Sequence, residues 1–336
     1  MGLFDQTEKL PIWFMRQAGR YHSHYQNIRK NSNFMTMCKS PDLATEITMG
    51  PIDDFDFDAA ILFSDLLFPL EALDMGLTYV NGPPELAYRI ETLEDINKLK
   101  PVENPTEFFD FQRLALEKLK TTLPQTKSLL GFVGAPFTLY TYAVEGAHKG
   151  NLISSKKGLR DGRFERFYEL LTPLVLEEMR VQAKANPTAI CLFDTAAGEL
   201  DYFDYFEYAF NPMNQIIKSF KAEYPDTKII YYSRGTNLNQ LKKIDFTHID
   251  VLGVDWRQPL TEFFKEIPTH VKIQGNLDPA LLHLDWSSLE KKLKQLFSQF
   301  NGELPKDRWV FGLGHGVLPK TPEENVRNVV KFVREQ

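Results

Sequence analysis

Polar side chains follow several short apolar runs of this sequence, at the point where each run ends. Carboxylates, hydroxyls and imidazoles exchange protons, and guanidiniums bind carboxylates in pairs of hydrogen bonds. Each such residue alone is equally well explained as a helix cap or turn residue. If the runs are parallel strands, all of them reach one rim, and the sequence predicts a functional site there. These residues are Asp65, Thr195, Arg234, Asp255, Asn276, Asp278 and His315.

Arg16 and Arg20 lie four residues apart and would share one face if their segment is helical, although Gly19 weakens a helix. The alternative is a solvated basic face, but apolar neighbours such as Trp13 and Tyr21 favour a binding role. A planar fork of donors suits bidentate capture of carboxylates. The segment therefore predicts two guanidiniums that bind an anion.

His315 lies in a glycine-rich stretch at 312–316 that has neither the G-x-G-x-x-G spacing nor a P-loop lysine. We interpret the glycines as bringing the backbone close to a bulky ligand and presenting the imidazole. Cys38 and Cys191 belong to no C-x-x-C or Cys/His cluster, so we expect neither a disulfide nor a metal site. This cysteine usage fits the reducing cytoplasm.

Composition limits the class of protein. The chain has 336 residues, 43% of them apolar and 25% charged, which is typical of a globular protein. The net charge of −6 argues against nucleic-acid binding, which relies on a basic face. There is no apolar window of about 18 residues, so we expect no membrane span and no membrane partner. An anionic ligand would therefore need a local cluster of cations.

The order of elements predicts the fold class. Seven β-branched or aromatic runs alternate with helical patterns, and several helices begin with a cap followed by proline, at Ser40, Asn104 and Thr321. Pro11 to Met15 is either an eighth strand or an N-terminal arm. We predict a single domain over residues 1–336, an α/β (β/α)₈ TIM-type barrel with its active site at the carboxyl-end rim, with a doubly wound sheet as the alternative. The runs are Ala59 to Phe63, Ser128 to Val133, Ala189 to Phe193, Lys228 to Tyr232, Asp250 to Val254, Val271 to Gln274 and Trp309 to Phe311.

One further segment is expected to decorate the barrel. The stretch from Gly76 to Ile90 has Asn-Gly-Pro-Pro at 81–84 between two short apolar runs, which is typical of a hairpin.

Long motifs resemble the uroporphyrinogen decarboxylase family along nearly the whole chain and in the family's order. The motifs are PIWFMRQAGRY (11–21), MCKSPDLATEIT (37–48), DAAILFSDLLFPLEALDMGL (58–77), GFVGAPFTLYTYAVEG (131–146), DVLGVDW (250–256), QGNLDP (274–279) and GLGHGVLPKTPEENV (312–326).

This resemblance implies a homodimeric (β/α)₈ barrel that needs no metal or organic cofactor. The implied enzyme is a carboxy-lyase of haem and porphyrin biosynthesis, which converts the tetrapyrrole uroporphyrinogen III to coproporphyrinogen III by removing four acetate carboxylates. The family's site residues fall on Arg16 and Arg20 of MRQAGR, Asp65 of FSD, Tyr142 of TYxVEG, Thr195 of the D-[ST] pair and His315 of LGHG.

Chemistry assigns expected roles to these residues. Asp65 would accept the pyrrole N–H bonds and offset a transient ring cation. The arginines would hold carboxylates, and Tyr142, Thr195 and His315 would orient side chains or relay protons. The proton donor stays open between Arg16, which is a very weak acid, and a relay through water or His315.

The sequence also departs from the family. Ala196 stands where an aromatic residue or histidine is frequent, Arg234 where lysine is usual, and Gly312 where asparagine is common. These departures bear on how the substrate propionates are held.

Two other functions compete with this one. A corrinoid-dependent methyltransferase can share this barrel, but it needs a zinc-binding His-x-Cys motif that this sequence lacks. A non-catalytic tetrapyrrole carrier would be favoured by loss of Asp65 or of the arginines, all of which are present.

Overall fold

Seven parallel strands form one sheet in chain order. The structure, a computed structural model, describes residues 2–5, 9–80, 82–147 and 150–336. All seven predicted runs are confirmed as strands, and the sequential order excludes the doubly wound alternative, in which the strand order reverses. The strands are β1 (Ala59–Ile61), β2 (Ser128–Gly134), β3 (Ala189–Asp194), β4 (Lys228–Ser233), β5 (Val251–Gly253), β6 (Lys272–Leu277) and β7 (Trp309–Leu313).

The two faces of the sheet pack in separate apolar clusters, because side chains alternate along each strand. The outer face joins the helices in the large core. The side chains of the inner face pack against each other in a smaller cluster. Strands β1 to β5 and strand β7 contribute to this cluster. A sheet whose inner side chains meet each other is curled. The inner cluster comprises Leu3, Trp13, Met15, Ala59, Ile61, Leu130, Phe132, Ala189, Cys191, Phe193, Ile230, Tyr232, Val251 and Val310.

Helices connect the strands and cover the outer face. Helix α3 packs on α6, α6 on α9 and α9 on α11, so the outer layer also follows chain order. The helices are α1 (Ser23–Arg29), α2 (Phe34–Lys39), α3 (Pro41–Phe55), α4 (Phe68–Ala72), α5 (Leu93–Asn97), α6 (Pro105–Thr122), α7 (Pro136–Glu145), α8 (Ile153–Gly158), α9 (Arg163–Lys184), α10 (Tyr202–Asp204), α11 (Asn211–Glu223), α12 (Leu238–Leu241), α13 (Leu260–Glu266), α14 (Trp286–Ser298) and α15 (Glu323–Arg334). Short 3₁₀ turns lie at Ala197–Glu199 and Pro279–His283, and a π-helical turn at Tyr205–Phe210.

Two of the predicted helix starts are confirmed. The Ser40 side chain accepts a hydrogen bond from the Leu43 N–H at 3.4 Å, and Asn104 accepts one from the Glu107 N–H at 3.3 Å. Each cap precedes a proline at the first helical position, where the missing N–H costs nothing.

The third predicted start, with Thr321 as the cap, is wrong. Helix α15 has Pro322 at its N-cap position and no side-chain cap. The Thr321 hydroxyl instead donates to the carbonyl oxygen of Leu318 at 2.8 Å and contacts His283 Nε2 at 3.2 Å, which fixes the preceding turn.

The segment from Pro11 to Met15 lies between the first and last strands without forming a regular strand. It makes one isolated parallel bridge, Ile12 to Phe311 of β7. On its other side, the Ile12 N–H donates to Asp58 Oδ2 at 2.7 Å, and the Asp58 N–H donates to the Ile12 carbonyl at 2.9 Å. Arg334 of the last helix binds both oxygens of the buried Asp58 carboxylate, at 2.7 and 2.8 Å. Asp58 therefore ties the two ends of the chain to β1.

The predicted hairpin is confirmed as an antiparallel bridge. Thr78 and Glu85 exchange two backbone hydrogen bonds, of 2.8 and 2.9 Å. Asn81 lies outside the described residues. The hairpin also contributes to the surroundings of Asp65, whose pKa is lowered by a hydrogen bond from Tyr79.

A buried polar network lies between helices α6 and α9 and strand β2. Gln112 Nε2 donates to Glu178 Oε1 at 2.7 Å. Gln182 Nε2 donates to Gln112 Oε1 at 2.7 Å and to the Phe132 carbonyl at 2.8 Å. Burial raises the pKa of Glu178 to about 8, although Gln112 opposes this shift. A side chain that is neutral at physiological pH therefore supports this part of the outer layer.

Candidate functional site

Asp65 follows β1 and lies half-buried. Its Oδ1 accepts a hydrogen bond from the Leu67 N–H at 2.8 Å. Burial raises the pKa of the carboxyl group, while hydrogen bonding from Tyr79, the Leu67 N–H and the nearby charge of Arg16 lower it. The charge of Glu71 raises it as well, and the net effect is a pKa above the ordinary aspartate value, because burial outweighs the groups that favour the ionised form.

Tyr79 is a site residue that the sequence analysis missed. Its ring packs against Phe34 with the centroids 4.5 Å apart, and its phenol is directed at Asp65. Burial and the Asp65 charge both raise the pKa of this phenol, so it stays protonated and can donate. The sequence around Tyr79 does not mark it as a site residue, because its interaction with Asp65 depends on how the hairpin packs against the loop after β1.

Arg16 and Arg20 do not share a helical face, so that expectation is wrong. Arg16 has a left-handed backbone (φ 58°) within a turn, and the first helix begins only at Ser23. The turn is fixed from inside: Gln17 Oε1 accepts from the Phe14 N–H at 3.2 Å, and its Nε2 donates to the carbonyl of the first β1 residue at 2.8 Å. Both arginines are exposed. Among the described residues, neither guanidinium has a salt bridge or hydrogen-bond partner.

The glycine-rich stretch after β7 makes room for Arg16. A Cβ atom on Gly316 would lie 2.5 Å from Arg16 Cδ and 2.7 Å from its Cγ. The loop is also tied to the turn by the Val317 N–H, which donates to the Met15 carbonyl at 2.9 Å. Gly316 therefore allows the stem of Arg16 to lie against the backbone next to His315.

Tyr142 of α7 lies close to Arg16 and Asp65. Burial raises the pKa of its phenol, the charges of Arg16 and Arg234 lower it, and the charge of Asp65 raises it. The structure therefore brings together three of the predicted site residues, which are separated by up to 126 positions in the sequence.

His315 is held by Tyr232 of β4. The Tyr232 hydroxyl donates to the Gly314 carbonyl at 2.7 Å and lies 3.3 Å from His315 Nδ1. The two rings are stacked, with an interplanar angle of 12°. Burial raises the pKa of the Tyr232 phenol, and the charges of Arg234 and Arg16 lower it. Because Tyr232 contacts His315, this imidazole lies on the same side of the sheet as these two arginines.

Thr195 directly follows β3 and is half-buried. Phe193, two residues before it, belongs to the inner cluster. The residue between them, Asp194, was missed by sequence analysis. Its buried Oδ1 accepts from the Thr138 hydroxyl at 2.7 Å, and that hydroxyl accepts from the Ala196 N–H at 3.1 Å. Burial raises the pKa of Asp194 to about 7.

Three other polar residues, one near the end of β6 and two after strands, fix loops, which is the structural role given as their alternative explanation. Asn276 Nδ2 donates to the carbonyls of Asp255 and Gln258 at 3.0 and 2.8 Å. Asp255 forms a salt bridge with Arg257. Asp278 Oδ1 accepts from a backbone N–H of the following 3₁₀ turn at 2.9 Å.

Within the described ranges, no group of three or more His, Cys, Asp and Glu side chains could hold a metal ion. Cys38 and Cys191 are both buried free thiols. Of the helices described, none is long and apolar enough to cross a membrane.

The fold and site define an α/β protein with a curled parallel sheet and a half-buried carboxylate after its first strand, near the guanidinium of the N-terminal turn. The family model described as uroporphyrinogen decarboxylase matches residues 5–336. The chain belongs to the uroporphyrinogen decarboxylase family.

Curated relatives named uroporphyrinogen decarboxylase match over most of their length. The protein from Vesicomyosocius okutanii is 37% identical, over 97% of this chain and 94% of the relative. The protein from Rickettsia felis is 34% identical over 98% and 94%. The protein from Campylobacter jejuni is 35% identical over 98% and 96%.

A solved structure with a similar fold is a methyltransferase from Methanosarcina mazei. The TM-score is 0.75, at 14% sequence identity, over 98% of this chain and 95% of that one. At this identity the likeness shows the fold alone.

Proposed function

We propose that this protein is a carboxy-lyase that converts uroporphyrinogen III to coproporphyrinogen III by removing the carboxylates of four acetate side chains. The observation that carries the proposal is the proximity of three side chains from different elements. Asp65 follows β1, Arg16 lies in the N-terminal turn and Tyr142 lies on α7. In this arrangement the Asp65 carboxylate can stabilise a cationic pyrrole ring, and the neighbouring Arg16 guanidinium can bind a carboxylate of the substrate.

Loss of CO₂ from a pyrrole acetate leaves an electron pair that needs a sink. Protonation of the pyrrole ring at carbon supplies the sink, and the new methylene carbon later receives a proton. Asp65 accepts the pyrrole N–H bonds and offsets the ring cation, which forms only as the reaction proceeds. No redox or covalent step requires an organic cofactor or metal, and we propose that none takes part.

The other site residues bind and orient the substrate. Arg16 and Arg20 hold carboxylates, and Tyr142 and Thr195 donate hydrogen bonds to further side chains. The Tyr232 hydroxyl donates to the Gly314 carbonyl, so its oxygen is available as an acceptor for a proton on His315 Nδ1. This orientation supports a proton relay through His315 and water; Arg16 is the alternative donor, although a guanidinium is a very weak acid.

The architecture of the proposed enzyme is one barrel domain over residues 1–336. Pro11 to Met15 closes the curled sheet as the eighth element of a (β/α)₈ barrel, supported by its contacts to Phe311 and Asp58 on either side. The active site lies at the carboxyl-end rim. The protein acts as a homodimer in the cytoplasm, which the family resemblance and the free cysteines support.

The test is anaerobic incubation with uroporphyrinogen III, with separation of the products that carry seven, six, five and four carboxylates. We expect all four products, in the presence of chelator as well as in its absence. Failure to release CO₂ would overturn the proposal, and a requirement for added metal would overturn its cofactor-free part. Light scattering of the active enzyme tests the dimer, which an active monomer at all working concentrations would contradict.

Two other functions make different predictions in the same assay. A methyltransferase with this fold would show metal-dependent methyl transfer, but the sequence lacks the His-x-Cys motif. A carrier would bind the porphyrinogen without shortening its side chains.

A further inference from the structure

Arg234 directly follows the last residue of β4. Tyr232, two residues earlier, belongs to the inner cluster, and the charge of Arg234 lowers the pKa of the Tyr232 phenol, so the guanidinium lies near this end of the inner face. The Arg234 N–H donates to the Asp194 carbonyl at 3.2 Å, and the Arg234 carbonyl accepts from the Gly198 N–H at 3.1 Å. Both backbone groups are thus held by the loop that also carries Thr195.

The guanidinium of Arg234 is half-buried and has no protein anion beside it. Across the part of the chain that the structure describes, it forms neither a salt bridge nor a hydrogen bond. Strands β3 and β5 on either side of β4 end near carboxylates, but Asp194 is buried and accepts from the Thr138 hydroxyl, and Asp255 accepts the Gly235 N–H at 2.7 Å and pairs with Arg257. A partly desolvated cation without a partner is costly unless a ligand supplies the anion.

The surroundings of Arg234 are those of the proposed active site. The phenols of Tyr142 and Tyr232 feel the charges of both Arg16 and Arg234, so these guanidiniums flank the same two rings. Arg16 also lies near Asp65, which follows β1. Since β4 is three strands away from β1 in the sheet order, Arg234 faces the site from another side.

We propose that Arg234 binds a carboxylate of the tetrapyrrole that the reaction retains, a propionate at the edge of the macrocycle. The inference rests on the proposed function and adds a binding residue to it. Asp65 contacts the centre of the macrocycle, where charge develops, whereas Arg234 holds a part that does not react. An interaction of this kind is equally strong in the ground state and the transition state, so it lowers KM and leaves kcat unchanged.

The test compares Arg234→Met and Arg234→Lys with the wild-type enzyme. Methionine keeps much of the unbranched stem and removes the charge, while lysine keeps the charge without the planar fork. We expect Arg234→Met to raise KM for uroporphyrinogen III by about ten- to a hundredfold, the loss for one charged hydrogen-bonded pair. The inhibition constant of the product, coproporphyrinogen III, should rise by a similar factor, because the product keeps all its propionates. Arg234→Lys should recover part of both losses.

The control is Arg166→Met on the outer helix α9, where the guanidinium is paired with Glu169 at 2.7 Å. It removes the same charge from the molecule, and we expect unchanged KM and product inhibition. Thermal unfolding of each variant verifies that the fold is retained.

An unchanged KM and inhibition constant in Arg234→Met would overturn the inference. A raised KM with unchanged product inhibition would also overturn it, because the contact would then be to an acetate that is lost. If the wild-type protein released no CO₂, the proposed function would fail by itself. Anaerobic equilibrium dialysis of coproporphyrinogen III with wild type and Arg234→Met would still decide whether Arg234 binds a carboxylate.

Discussion

Asp65 is subject to opposing influences whose net effect raises the pKa of its carboxyl group. Burial raises the pKa of the carboxyl group, and donors from Tyr79 and Leu67 together with the Arg16 charge lower it. We predict that Asp65→Asn folds normally and loses about 100- to 1000-fold in kcat, the usual effect of removing one well-placed electrostatic group. Asparagine still accepts a pyrrole N–H bond but cannot offset a ring cation, so KM should change less than kcat.

Asp65→Glu is the matched variant for this prediction. It keeps the charge and displaces it by one methylene group, so an intermediate kcat is expected. Turnover by Asp65→Asn within a fewfold of wild type would show that Asp65 only fixes the loop after β1, through its bond to the Leu67 N–H.

Tyr79→Phe should change the pH dependence of the reaction. The Tyr79 hydrogen bond lowers the pKa of Asp65, so its removal raises that pKa further. If activity requires the Asp65 carboxylate, kcat/KM rises with pH through this pKa, and the acid limb of the profile should move to higher pH in Tyr79→Phe. Tyr88→Phe in the same hairpin is the control, because the Tyr88 phenol is affected by Asp74 and Asp95 instead. Superimposable acid limbs for Tyr79→Phe and wild type would disprove the role of this hydrogen bond.

The strands could be predicted from the sequence, because each apolar run is short, rich in β-branched or aromatic residues and followed by a polar residue. The backbone conformation at Arg16 could not be predicted from the sequence. Two arginines four residues apart would share a face in a helix, but the contacts of Gln17 with Phe14 and β1 impose a turn instead. Tyr79 and Asp194 were not predicted as site residues for a similar reason. Their partners, Asp65 and Thr138, lie on other elements of the fold.

The loop after β7 and the N-terminal turn should act as one element through Gly316. The φ angle of Gly316 is not positive, so its backbone conformation is compatible with alanine. The added Cβ atom would nevertheless collide with the Arg16 stem. We predict that Gly316→Ala lowers kcat/KM by about 100-fold, the cost of displacing a positioned group by about 1 Å. The melting temperature should change little.

A double-mutant cycle checks this mechanism. If Gly316→Ala acts by displacing Arg16, its effect should largely disappear in an Arg16→Ala background. Additive losses in the double variant would mean that Gly316 influences another group, such as His315.

At the scale of the whole molecule, the motifs of the sequence indicated the family, and the element order indicated a parallel α/β fold. The salt bridge between Asp58 and Arg334 could not be anticipated, since it joins residues 276 positions apart. The same holds for the polar network between α6 and α9, because its buried members Gln112, Glu178 and Gln182 lie on two different helices. Such groups contribute to the stability of the fold in ways that depend on pH.

Glu178 should make the protein less stable as the pH rises. The folded state keeps the Glu178 proton up to about pH 8, whereas the unfolded chain releases it near the ordinary glutamate pKa of 4.5. Between these values the unfolded state binds fewer protons, so the free energy of unfolding falls with increasing pH. Glu178→Gln is neutral throughout and can still accept the Gln112 hydrogen bond. The variant should therefore gain stability relative to wild type as the pH increases from about 5 to 8, by a total on the order of a few kcal/mol. Denaturant unfolding at several pH values measures the difference, with Glu169→Gln as the exposed control on the same helix. A constant difference between Glu178→Gln and wild type over this range would mean that Glu178 is ionised in the folded protein, despite its burial and the nearby charge of Asp65.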